Sequence, residues 1–120
     1  VRAQKLISGI FSAEFISNQN MGGCGVAVFS GNAVHGGDAS YYYRGKYKLD
    51  GQKLISGTIE VTRYSTLQNS VFGALDNYKL KLNGVVIVNE KEFEMSGSVE
   101  GHPEFILRIV LRKIDELIEA

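Results

Sequence analysis

Chemistry in this 120-residue chain would have to come from few side chains: two histidines, one cysteine, six tyrosines and 13 acids. His35 and Asp38 bracket Gly36-Gly37. A histidine held near a carboxylate is a general-base arrangement, but it works only with a nucleophile or metal supplied from elsewhere. An enzyme would need His35, Asp38 and Tyr43 to converge in one cleft. The plainer reading is a surface histidine next to an aspartate that closes a turn. His102 precedes Pro103 in a corner and reads as loop. Histidines and a cysteine this far apart lack zinc-ligand spacing, so no metal and no cofactor is expected.

Gly22-Gly23-Cys24-Gly25 fits neither the phosphate-loop pattern nor the dinucleotide fingerprint, and no helix follows to present its N-terminus to an anion. Cys24 has no basic neighbour to lower its pKa, so it reads as a small buried apolar residue. Tyr41, Tyr42, Tyr43, Tyr47, Tyr64 and Tyr78 form a stacking platform for single-stranded nucleic acid only if they share a face with many cations. Lys plus Arg equals Asp plus Glu at 13 each, which leaves no net field for a phosphate backbone. No apolar run approaches the ~20 residues of a spanning helix, and one cysteine cannot form an internal disulfide. The expected setting is cytoplasmic, without nucleic acid or membrane as direct partner.

The elements that must position these residues read as strands. Glycine is frequent at 14 and proline occurs once, which suits many tight turns between paired strands. Residues 9–17 alternate, with Phe11, Ala13 and Phe15 on one face. Further strands are expected over 25–29, 33–35, 39–48, 54–64, 78–82, 85–88, 92–99 and 105–111. Residues 36–38 are read as a turn, 71–73 as a short extended piece, and 113–120 as a helical turn or two. Asp50-Gly51 reads as a type I′ hairpin, and Asn83-Gly84 as a second hairpin. The predicted fold is all-β: an eight-stranded antiparallel up-and-down barrel, one domain over residues 1–120 with a C-terminal tail at 113–120. Phe11, Phe15, Val28, Tyr43, Phe93 and Ile109 are the expected lumen lining.

The chain resembles the GrlR-type family, small negative regulators of type III secretion gene expression in enteric bacteria. The resemblance rests on residues 9–18, on Gly23-Cys24-Gly25-Val26, and above all on Gly36-Gly37-Asp38-Ala39-Ser40 leading to Tyr43-Arg44-Gly45. Val61-Thr62-Arg63-Tyr64, Ser70-Val71 and Tyr78-Lys79-Leu80 follow in the same order. It implies a lipocalin-like barrel that dimerises, has no enzymatic activity and holds a transcriptional activator protein away from DNA. In the family an exposed run of alternating acids marks the hairpin loop that here reads Lys48-Leu49-Asp50-Gly51-Gln52. Only Asp50 is acidic within that loop here, yet Lys48, Asp50 and Gln52 remain the expected partner contacts. The chain has no Trp, so the Gly-x-Trp signature of true lipocalins is absent.

Two functions from different classes stand. One is a regulatory protein–protein module acting as a homodimer. The other is a barrel that binds a small apolar ligand, and the volume of the lumen discriminates them.

Overall fold

A computed structural model describes residues 6–51, 53–73, 75–88 and 90–119 of the chain. Eight antiparallel strands follow one another around a closed barrel. They are β1 (Gly9–Ser17), β2 (Gly22–Ser30), β3 (Ala33–Gly37), β4 (Tyr41–Asp50), β5 (Leu54–Arg63), β6 (Asn77–Val88), β7 (Glu92–Val99) and β8 (His102–Asp115). β8 returns to pair with β1, matching Ser12 to Arg112 and Phe15 to Ile109, so every strand has two neighbours. No described residue is helical, so no helix among them is long and apolar enough to cross a membrane.

Period-two alternation builds the wall. On β4, Tyr41 and Tyr47 are buried and Tyr43 and Gly45 are half-buried, while Tyr42, Arg44, Lys46 and Lys48 are exposed. β6 alternates in the same way, with Leu80 and Leu82 inward and Lys79 and Lys81 outward. One end of the barrel is plugged. Phe11 and Phe29 lie 4.8 Å apart, Phe93 packs 5.7 Å from Phe11, and the Tyr47 ring meets Phe29 edge-on at 5.3 Å. Ile7 crosses this end, donating its amide to the Tyr47 hydroxyl at 2.6 Å, and that hydroxyl donates to the Gly31 carbonyl at 2.7 Å.

Several expectations are corrected here. Asn83-Gly84 is no hairpin: β6 runs straight through it, and Gly84 pairs with Ile55 on one side and Met95 on the other. Fusing the two expected strands at this point brings the number to eight. A β-carbon on Gly84 would collide with the Glu94 carbonyl oxygen, so glycine is there for close approach of two strands. The connection after Asp50 spans three residues, because Asp50 pairs with Leu54 rather than meeting across a two-residue type I′ turn. Gly51 takes the left-handed backbone it requires, at φ 66°. β2 begins at Gly22, three residues earlier than expected, because Phe15 and Ile16 of β1 offer ladder partners to Gly23 and Gly22. β3 likewise takes in Gly36 and Gly37, leaving the turn to residues 38–40. Residues 71–73 are a turn, closed by the Gly73 amide donating to the Ser70 carbonyl at 2.9 Å. The expected C-terminal helix does not form. Lys113 and Asp115 pair with Phe11 and Ile10 in the β1–β8 ladder, which satisfies backbone groups a helix would otherwise have to bond itself.

Candidate functional site

The lumen is a cavity of about 130 Å³ lying above the Phe11–Phe29–Phe93 plug. Its walls are apolar, from Ala13, Ala27, Ile59, Leu80, Met95 and Ile109, and its far end is polar, from Asp38, Gln68, Asn69 and Ser70. Tyr43 and Tyr78 line it as well.

Asp38 organises the polar end. One carboxylate oxygen, Oδ1, accepts the amides of Ser40 at 3.0 Å and Tyr41 at 2.9 Å, closing the turn from β3 into β4. The other, Oδ2, accepts the Tyr43 hydroxyl. Burial, reinforced by this bond to an anion, holds the Tyr43 phenol well above the ordinary tyrosine value. Burial also pushes Tyr78 up to about 12, partly opposed by a hydrogen bond from Ser70. Both phenols therefore stay neutral throughout the physiological range.

A lid covers this end, formed by the connection between β5 and β6. Val71 and Phe72 are buried within it, and Phe72 stacks on Phe105 at 5.3 Å and meets Tyr78 edge-on at 5.7 Å. Three side chains on neighbouring strands and turns pin the lid. The Ser17 hydroxyl donates to the Val71 carbonyl at 2.6 Å, and the Ser40 hydroxyl accepts the Gln68 amide at 2.8 Å. Arg63 donates from Nε to the Ser65 carbonyl at 2.9 Å, and from Nη1 to Asp76 at 3.0 Å. Sequence reasoning missed Gln68, Asn69, Ser70 and Val71 as lumen residues. The apolar pair Val71-Phe72 inside a polar loop was the available signal.

Of the residues expected in the lumen, Phe15, Tyr43 and Ile109 line the cavity. Phe11 and Phe93 point inward too, but they fill the plug below it. Val28 is a correction. Its neighbours Ala27 and Phe29 are the buried ones, and Val28 pairs with Ile10 and His35 on the outer wall, while Cys24 on the same strand, expected buried, is exposed. The His35–Asp38–Tyr43 convergence does not occur: His35 is exposed on the outer face of β3 while Asp38 and Tyr43 meet inside. Nor do the tyrosines share a face. Only Tyr42 and Tyr64 are exposed, with ring centroids 6.4 Å apart, and Tyr41, Tyr43, Tyr47 and Tyr78 turn inward. Lys48 and Asp50 are exposed on the outer wall beside the β4–β5 connection, and Gln52 lies outside the described residues. Among the described residues no three metal-binding side chains cluster.

The family described as T3SS negative regulator, GrlR, matches residues 6–117. The chain belongs to the GrlR family. No curated protein matches it. The match spans all eight strands, so the lid and the Asp38 turn both lie within the matched residues. The family's described role is negative regulation of type III secretion, a regulatory role rather than a catalytic one.

Proposed function

We propose that this protein is a non-enzymatic negative regulator of type III secretion genes that acts by binding a transcriptional activator protein and keeping it from DNA. Membership of the GrlR family over residues 6–117 carries the reading. The geometry supports it. The tyrosines and the aspartate that resemble catalytic groups are spent on structure: Asp38 holds its turn and the Tyr43 hydroxyl, and Tyr47 ties Ile7 to Gly31. Recognition then falls to the outer wall, where the protein acts in the cytoplasm as a homodimer.

The ligand-carrier alternative finds less support. Ligand sites usually measure ~300–1,000 Å³, whereas this lumen is about 130 Å³. A space of that order takes a molecule of roughly benzene size. A drug-sized or long-chain ligand would have to displace the plug or the lid.

The test is co-expression with the activator of type III secretion genes from the same host and a promoter reporter. The expected outcome is a several-fold fall in reporter signal, with the activator co-purifying at fixed stoichiometry. An unchanged reporter with both proteins present and folded would overturn the proposal.

A further inference from the structure

We infer that the outer wall formed by β3, β4, β5 and β6 is the docking surface, and that it takes an acidic protein surface. The inference rests on the capture reading above and names the place and the chemistry of that contact.

The chain is neutral as a whole, but its outer charges are sorted. On β7, β8 and β1 they neutralise each other: Arg108 pairs with Glu94 at 3.1 Å, and Arg112 with Glu92 at 3.2 Å and Glu14 at 3.6 Å. Across the barrel, Arg44, Lys46 and Lys48 of β4 and Lys79 and Lys81 of β6 are exposed, and none has an ion-pair partner among the described residues. Register fixes their layout. One row reads His35, Arg44, Glu60, Lys79 and the next Ala33, Lys46, Thr58, Lys81. With strands ~4.8 Å apart, the two cationic strands stand roughly 10 Å from each other, and same-face residues along each strand recur every ~7 Å. Between them β5 presents the shorter Thr58 and Ser56, the latter paired with Lys48. A depression of about 360 Å³ lies here, lined by His35, Arg44, Lys46, Thr58, Glu60 and Lys79.

The same wall continues into apolar surface. Past Ser56 and Asn83 the next pair outward is Leu54 and Val85, which are 51% and 48% exposed, and Ile87 follows at 48%. An apolar anchor beside a cationic strip is how protein interfaces divide the task, the apolar part supplying affinity and the charges supplying orientation and association rate. Two acids argue against a uniform polyanion as the occupant. Glu60 sits between Arg44 and Lys79, and Asp50 pairs with Leu54. Both would oppose a phosphate backbone or an anionic bilayer. A protein surface can instead set a lysine or arginine against Glu60 among its own acids. Carboxylates on alternate residues of an extended segment recur at the ~7 Å step of β4 and β6.

A fluorescent peptide of about twelve alternating Glu and Thr residues, an oligonucleotide of equal charge and vesicles of anionic lipid are the three probes, titrated onto the full chain. The expected result is peptide binding with NMR shifts confined to Arg44, Lys46, Thr58, Lys79 and Lys81. Raising salt from about 50 to 300 mM weakens it, and the pair Lys46→Glu, Lys79→Glu weakens it at least roughly tenfold with an unchanged fold by circular dichroism. No peptide shifts at millimolar concentration would overturn the inference, as would tighter binding of the oligonucleotide or the vesicles. The reporter separates the two failures. A charge-reversed pair that represses as well as the wild type removes this surface and leaves the regulator reading standing, whereas a wild type that does not repress removes the regulator reading itself.

Discussion

At Tyr43 the protonation of a single side chain is coupled to the fold. In an unfolded chain its phenol ionises near ~10, but inside the barrel burial and the Asp38 carboxylate keep it protonated to higher pH. A folded-state pKa raised in this way contributes stability that is whole below pH ~10 and is lost as pH rises beyond it. Tyr78 behaves alike, its loss running from ~10 to about 12. Urea melts at several pH values are therefore expected to show a level midpoint up to roughly pH 9 and a steep fall above 10. Tyr43→Phe removes a bond to an anion, costing about 1–2 kcal/mol at neutral pH, but its alkaline fall is shallower. An equal fall in both proteins would show that Tyr43 is not the sensor.

Close approach gives a second sharp expectation at this scale. A β-carbon on Gly97 would overlap the Lys81 carbonyl oxygen, with no flexible side chain to yield. Gly97→Ala is expected to cost more than about 3 kcal/mol or to abolish folding. Gly51→Ala, which meets nothing within 4 Å, is expected to cost only ~1–2 kcal/mol, for its left-handed backbone. Thermal melts of the two variants separate steric from conformational need. Phe93→Ala, at the centre of the plug, is expected to cost about 3–5 kcal/mol.

Elements show what sequence alone could and could not reveal. β1, β5 and β7 were legible because polar and apolar residues alternate cleanly along them. Val28 was misplaced because residues 26–29 of β2 are all apolar, and a run without alternation does not say which residues face in. Asn83-Gly84 carried a correct local preference that lost to tertiary context, since pairing on both sides fixes β6 as continuous. Ile114, Leu117 and Ile118 carry helical spacing, but the vacant edge of β1 recruits residues up to Asp115 as strand. The lid was illegible for a different reason: it is held by bonds between Ser17 and Val71 and between Ser40 and Gln68, partners far apart in the sequence, which no periodicity records. At this scale Ser40→Ala is expected to raise hydrogen exchange at the Gln68 amide by roughly tenfold, leaving β1 and β8 amides protected. If all amides speed up together, the lid is not a separate cooperative unit.

For the molecule as a whole, closure of the sheet decides how contact with another protein is made. Every strand has a neighbour on each side, so no strand offers a full-length edge to a foreign strand; short overhangs past the five-residue β3, such as the start of β2 before Val26, lack a second ladder partner. In the proposed capture, recognition runs through side chains on the wall, where the cations of β4 and β6 stand opposite the self-paired charges of β7, β8 and β1. Raising ionic strength is therefore expected to weaken capture of a partner while leaving the melting temperature nearly constant, because exposed pairs add little stability. A melting temperature that falls in step with binding would tie the salt effect to unfolding instead.

Pairing of Ser12 with Arg112 also sets a clock. On a ribosome adding ~5–20 residues per second, the hundred intervening residues take roughly 5–20 s to emerge, and for that time β1 waits with one side of its backbone open. The barrel closes only once β8 has emerged. A nascent chain stalled before β8 would carry two naked edges, on β1 and on β7, and would be a substrate for chaperones or for its own aggregation before it could act on anything else.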